Sequence, residues 1–397
     1  MTEFSTGLAK GDNGYEAGKK AAEKALENFD KEISDIAFVF SSSDYDYEKV
    51  IEGVKEFSEV EKIFGCSSAG EFNEDGYISG GVGVAVLSSD SIDFHRGIGK
   101  KMSEDVVDSL EEAASDFPDE ADDREKSVIN LHDGLRGMGK KATWKTLEVC
   151  GSDVKVGGGA AGDNMEFKET HVFDEDEIVS DGVNLGMLVS DKPVILSVDH
   201  GHETISPPLR ATKTEGNVVH ELNGEPAFDV YKSYIKEDYK DHLGVDLDDV
   251  EVGTKEWQYL IVNYELGVHG NKVRWPGLTE DESGPMVFAC DIPENSVLQV
   301  MVGWDKEKHI EAARKTAKRA KKKAKDKGID IAGALVFECG VRKFVLQERF
   351  GESVETVSEE LDVPLLGFET FGEICIGENE VNGFHNTTTV IMLLPEA

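Results

Sequence analysis

The segment Gly65-Cys66-Ser67-Ser68-Ala69-Gly70-Glu71 follows an apolar run, and the same arrangement recurs twice in the chain. The recurrences are Gly157-Gly158-Gly159-Ala160-Ala161-Gly162-Asp163 and Gly367-Phe368-Glu369-Thr370-Phe371-Gly372-Glu373. Each is a Gly-x-x-x-x-Gly turn closed by an acid. Each is also preceded, roughly 30 residues upstream, by another apolar run that ends in polar residues, as repeated units require. Such repetition confines the chain to folds built from related units. It also puts three small-residue turns, each with a carboxylate, at equivalent places.

The runs around these turns give the order strand, helix, strand. In the first unit, 36–40 reads as a buried strand, 47–57 as a helix and 81–87 as a further strand beyond the turn. In the second, strand 128–131 leads to a helix near 140–150, and 183–189 closes the unit. In the third, strand 334–337 leads to a helix at about 349–361, and 388–394 closes it. Strand-helix-strand order favours parallel pairing. The fold class read from this is α/β, with repeated strand-helix-strand units forming mixed, largely parallel, pseudo-repeated sheets. A helix at 15–29 precedes the first unit. Between the second and third units, 259–264 and 297–302 read as strands and 277–285 as a loop. The polar, acidic stretch 231–252 is the best boundary, which divides the chain into domains 33–230 and 231–394.

Composition narrows the function. Of 397 residues, 39% are hydrophobic, too many for a disordered chain. No apolar run is long enough to span a bilayer, and the N-terminus lacks a signal peptide's basic and apolar regions. A cytoplasmic protein is expected. The five cysteines stand singly, so neither a disulfide framework nor a structural zinc is indicated. The net charge of −38 repels nucleic acid and destabilises a compact chain in dilute buffer. Molar salt shortens the Debye length to about 3 Å and screens that repulsion, so a halophilic setting is expected. Within this acidic chain 306–327 is a basic helix with a narrow stripe, Ile310, Ala313, Ala317, Ala320 and Ala324, for burial. Its charged side reads as a solvated face.

In open parallel sheets ligands bind beyond the carboxyl ends of the strands. Six polar clusters fall at such ends: Ser41-Ser42-Ser43, His132-Asp133-Gly134, Glu338-Cys339-Gly340-Val341-Arg342, and the three turns. The turns lack Gly-Lys-Ser/Thr and the dinucleotide pattern, so they are not phosphate loops. The ligand-binding candidates at these ends are Cys66, Ser67, Ser68, Glu71, Asp133, Gly158, Gly159, Asp163, Asn164, Cys339, Arg342, Thr370 and Glu373. Glu71, Asp163 and Glu373 can accept from an ammonium or hydroxyl, and Arg342 can grip a carboxylate in a fork. A zwitterion such as an amino acid satisfies both, and these four residues are expected to line one cavity. An internal pair between Arg342 and a carboxylate is the competing reading. No cofactor and no metal is expected; His200 and His202 stand two apart without a third ligand. A cysteine-dependent hydrolase, using Cys339 or Cys66 with His385 or His132 as base, is the enzymatic alternative.

At these residues the chain resembles the FIST family of sensory proteins. The amino-terminal resemblance lies in 65–71, His132-Asp133-Gly134, 158–163 and Gly224-Glu225-Pro226-Ala227. The carboxy-terminal one lies in 335–342, 367–373 and Phe384-His385-Asn386-Thr387-Thr388, which adds His385 and Asn386 to the candidates. The family often has Ser where Glu338 stands, and Tyr where Glu369 or Phe371 stands. The resemblance implies a non-enzymatic small-molecule sensor, with amino acids suggested as ligands. With no residues left for an output domain, signalling is expected to pass through a separate protein.

Overall fold

Ile36–Ser42 and Ile63–Ser68 are buried at every position, and the helix Tyr47–Ser58 lies between them in the chain. A helical crossover of this kind returns the second strand parallel to the first, and Ser42 pairs opposite Ser68. Asp46 starts the helix by accepting the N–H of Lys49, and Val50 and Val54 are buried on its inner side. The design recurs twice. Glu125–His132 pairs in parallel with Lys155–Ala160 across the helix Gly139–Cys150, with His132 opposite Ala160. Ile331–Cys339 pairs in parallel with Leu365–Thr370, with Cys339 opposite Thr370. Ser42, His132 and Cys339 are therefore equivalent positions, as are Ser68, Ala160 and Thr370.

The computed structural model describes residues 2–27, 29, 34–118, 121–268, 272–280, 284–377 and 383–396. Residue 33, Asn28 of the expected first helix and 281–283 of the expected loop lie outside them. Each parallel pair is flanked by an antiparallel closing strand: Val82–Ser89, Gly182–Ser190 and Thr389–Pro395. A leading strand follows on its far side: Thr2–Ala9, Ile92–Lys100 and Ile195–Asp199. The last places in each sheet come from another unit. After the first turn, Glu71–Asn73 joins Leu365–Thr370; after the second, Val172–Asp174 joins Ile63–Ser68; after the third, Glu373–Ile376 joins Lys155–Ala160. This cyclic exchange gives three six-stranded sheets. The fold is α/β with mixed, repeated sheets, and its parallel component is one central pair per sheet. The remaining ladders are antiparallel, and most of them pair strands far apart in the chain.

The exchange draws the three turns together. Ala69 N–H donates to the Glu369 carbonyl (3.1 Å) and Glu369 N–H to that of Gly70 (2.8 Å). Gly162 and Asn164 donate to the carbonyls of Ser67 and Ser68 at 3.0 and 3.2 Å. Ala160 N–H reaches the Gly372 carbonyl (2.7 Å), and Phe371 N–H reaches that of Ala160 (3.1 Å). The turns thus form a closed ring of backbone hydrogen bonds. Packing there leaves no room for larger side chains: a Cβ on Gly159 would lie 2.6 Å from Thr370 Cγ2. One apolar core joins the three sheets, with Phe40 of the first and Phe368 of the third 4.2 Å apart between ring centroids. Such aromatic pairs contribute about 0.5–1.5 kcal/mol beyond their burial.

The third unit is interrupted. Between its leading strand Ile195–Asp199 and the helix Lys306–Asp326, the chain makes a separate eight-stranded sheet with the helices Ala227–Leu243 and Lys255–Asn263. This insert has its own core, including Tyr231, Trp257, Leu260, Tyr264 and Leu298. Val297–Val302 is a strand at its centre, as expected. The expected strand 259–264 is instead the end of a helix. Thr254 caps that helix through Trp257 N–H, and Trp257 and Leu260 are buried at helical spacing before the strand Tyr264–Val268 begins. The basic helix buries Ile310, Ala313, Ala317, Ala320 and Ala324, as its stripe predicts. Among the described residues no helix is long and apolar enough to cross a membrane.

Candidate functional site

At the turn ring a hydroxyl and an acid meet within each of two units. Ser68 Oγ donates to Glu71 Oε1, whose other oxygen accepts Gly81 N–H at 2.9 Å. Thr370 Oγ1 donates to Glu373 Oε1 at 2.5 Å, and Glu373 Oε2 accepts the N–H (3.1 Å) and hydroxyl (2.9 Å) of Thr388. The second unit has Ala160 where the others have the hydroxyl. There Asp163 turns to its own loop and accepts the N–H groups of Phe167, Lys168 and Glu169 at 2.9, 2.5 and 3.0 Å. Glu71 and Glu373 are fully buried. Burial pushes Glu71 up to about 8 and Glu373 up to about 7.

Beside the third turn lies a cavity of about 130 Å³. The second unit contributes Gly134, Leu135 and Gly137 from its strand-end loop, and Met165 and Phe167 from beyond its turn. The third unit contributes Cys339, Val341, Thr370, Phe371 and Asn386, and the insert contributes Trp275, Leu278 and Ala289. The rings of Phe167 and Phe371 stack at 4.9 Å and 18°, and those of Phe167 and Trp275 at 6.5 Å and 19°. Phe167 is nonetheless 49% exposed. Asn386 is buried, and among the described residues its Oδ1 has no hydrogen-bond partner.

The backbone bordering the cavity is strained. Asn164, Met165 and Phe167 have φ of 54°, 64° and 54°, and Thr387, next to Asn386, has φ of 55°. A β-branched residue rarely occupies this region, and strain of this kind gathers at ligand clamps and switch regions. Thr387 is held there partly by donating to Glu265 Oε1 at 2.6 Å. Glu265 is wholly buried, lies 3.5 Å from His202 Nε2, and is driven well above the usual carboxylate range by burial. Cys339 is likewise raised, first by burial and then by the neighbouring Glu373.

The candidate residues separate into groups. Cys339, Thr370 and Asn386 border the cavity, and Glu373 sits behind Thr370. Cys66 lies inside the central core, and Ser67 Oγ accepts His171 N–H at 2.9 Å. Ser68 and Glu71 serve each other. Asp133 accepts from Thr170 Oγ1 (2.6 Å), Asp181 N–H (2.6 Å) and Leu135 N–H (2.9 Å), and so shapes the loop at Leu135 from behind. Gly158 and Gly159 permit close strand packing. Asn164 Nδ2 donates to Ser42 Oγ at 2.9 Å and ties the second unit to the first. His385 lies in the short strand Phe384–His385, held neutral by burial and by Arg274, at about 3.

Glu71, Asp163, Arg342 and Glu373 do not line one cavity, because their polar groups are used inside the protein. Arg342 is completely buried. Its Nε donates to Glu338 Oε1 at 2.5 Å, and its terminal nitrogens donate to His309 Nδ1, the His309 carbonyl and Ser353 Oγ at 3.1, 3.2 and 3.1 Å. The internal pair is the correct reading for this residue. His202 and His309 are buried with their rings edge to face, and the half-buried His200 packs beside His202. Among the described residues, no group of three or more His, Cys, Asp or Glu could hold a metal ion.

The FIST N domain matches residues 35–225 and the FIST C domain matches 227–376. The chain belongs to the FIST family. FIST domains are associated with signal transduction and small-ligand sensing. An uncharacterized protein of Methanocaldococcus jannaschii is 24% identical over 348 residues, 81% of this chain, and the match spans 63% of that protein's length. Among solved structures, a cyanuric acid hydrolase of A. caulinodans aligns over the whole of both chains at 6% identity with a TM-score of 0.31. A second cyanuric acid hydrolase aligns at 8% identity with the same score.

Proposed function

We propose that this FIST protein is a cytoplasmic small-molecule sensor, that its ligand occupies the cavity beside the third turn, and that a separate signalling protein reads the bound state. The division of the chain at 230/231 into amino- and carboxy-terminal domains belongs to the same proposal. One observation carries the reading. A cavity with apolar walls and a few polar groups, bordered by strained backbone, opens where two strand-end clusters and the insert converge. Sites for small molecules have this composition and this placement at strand ends.

The reading is of binding rather than catalysis. Cys339 borders the cavity, but no hydrogen bond joins it to a histidine among the described residues, and its thiol is held protonated. Thiol chemistry needs the thiolate. His132, the other candidate base, faces Asn130 Oδ1 at 3.0 Å. An amino acid held by its carboxylate on Arg342 is not supported, because that guanidinium is committed elsewhere.

The test is a thermal-shift screen of metabolites at molar KCl on the wild type and on Ala289→Trp, which fills the cavity from its rim. A ligand that raises the melting temperature of the wild type and leaves the variant unmoved supports the proposal. Ligands that act equally on both would sink it.

A further inference from the structure

The charge and shape of the cavity narrow what it can hold. We propose that the ligand is an uncharged, planar molecule of single-ring size, lying against the aromatic wall and giving a hydrogen-bond donor to Asn386. The inference rests on the cavity being the ligand site.

Among the described residues, every side chain lining the cavity is uncharged. Nearby ions are already engaged. Arg342 is bound to Glu338, and Arg136, beside Leu135, lies 3.2 Å from Asp133. Both oxygens of Glu373 are occupied by Thr370 and Thr388. An anionic ligand would find no counter-charge. Of the carboxyls behind the lining, Glu265 has an Oε2 with no hydrogen-bond partner among the described residues, but burial drives it toward its neutral form, so it offers an ammonium no counter-charge. Either would lose its hydration without replacement. Phe371, Phe167 and Trp275 stack with nearly parallel planes, an arrangement that a further flat ring can join. The volume is close to that of engineered cavities of about 150 Å³ that take up benzene. Among the described residues the Oδ1 of buried Asn386 has no donor, and a ligand N–H or O–H supplies one.

Benzamide, benzoate and benzylammonium share one ring and differ in charge, so titration of the three at molar KCl is the test. Benzamide is expected to bind at least tenfold more tightly than either ion. Its binding should vanish in Ala289→Trp and weaken in Phe167→Ala, where the lost ring is half exposed and the fold is little affected. Tighter binding of either ion, still abolished by Ala289→Trp, would overturn the neutral assignment and leave the cavity as the site. Failure of all three while another metabolite binds and is lost in Ala289→Trp would overturn the ring assignment alone. Equal binding of benzamide to wild type and Ala289→Trp would remove the site itself, and the inference with it.

Discussion

Arg342 donates from Nη1 to Nδ1 of His309 over 3.1 Å, and this contact fixes the state of the buried imidazole. A guanidinium only donates, so Nδ1 must carry the lone pair. Nε2–H then donates to the Gly303 carbonyl 2.6 Å away. The insert's last strand, the basic helix and the segment after Cys339 are thereby joined through one neutral histidine, which burial and Arg342 hold down at about 3.

Removing Arg342 should act first on stability. Arg342→Ala leaves Glu338 buried without its partner, and breaking a buried pair costs about 3–5 kcal/mol. Replacing both partners, as in Glu338→Met with Arg342→Met, should recover part of that loss. Urea unfolding of the single and double variants measures both. A single variant as stable as wild type would mean that the guanidinium is not bound as described.

The hydroxyl–acid pairs predict an asymmetry among the units. Thr370→Val should cost about 1–3 kcal/mol, because Glu373 loses a donor inside the protein. Ala160→Ser, which installs the same hydroxyl in the second unit, should add nothing, because Asp163 is already occupied by three N–H groups. Denaturation midpoints of the two variants decide this, and a stabilising Ala160→Ser would contradict it.

Buried acids and buried histidines set opposite pH limits. Burial holds His132 at about 4 and His309 and His385 at about 3, against an ordinary value of 6.5. Below pH 6.5 the unfolded chain therefore takes up protons that the folded chain refuses, and stability falls as pH drops. Burial raises Glu71 to about 8 and Glu369 and Glu373 to about 7, against an ordinary 4.5. Their contribution is fully present below 4.5 and is lost as pH rises through 7 to 8. Maximum stability is expected between these ordinary values, from pH 4.5 to 6.5. Unfolding curves from pH 4 to 9 at constant KCl locate it, and a maximum at pH 8 or above would refute the assignment.

The net charge of −38 predicts that salt stabilises the fold. Raising KCl from dilute to molar shortens the Debye length from about 30 Å to about 3 Å and screens the repulsion. The melting temperature should climb over that range. A flat or falling profile would end the halophilic reading.

The turns and the strand-helix-strand order were legible in the sequence because both are local patterns. Gly-x-x-x-x-Gly before an acid can be seen without knowing what lies across from it. Ile92–Lys100 was not legible, because Asp93, His95 and Arg96 break its apolar run and only pairing with Gly182–Ser190 makes it a strand. The site was legible in part. Cys339, Val341, Thr370, Phe371 and Gly134 fall within the clusters at strand ends, whereas Trp275, Leu278 and Ala289 arrive through long-range packing of the insert. Arg342 shows the limit of such reading: its sequence position marks a cation near the site, and only its burial shows that the charge is already committed.

The most direct measurement is a crystal structure of the protein soaked at high salt with the tightest compound from the screen. Ligand density is expected bordered by Cys339, Thr370 and Asn386 and flanked by Phe371, with Arg342 still bound to Glu338. Density for the ligand at any other place, with this cavity unchanged, would contradict it.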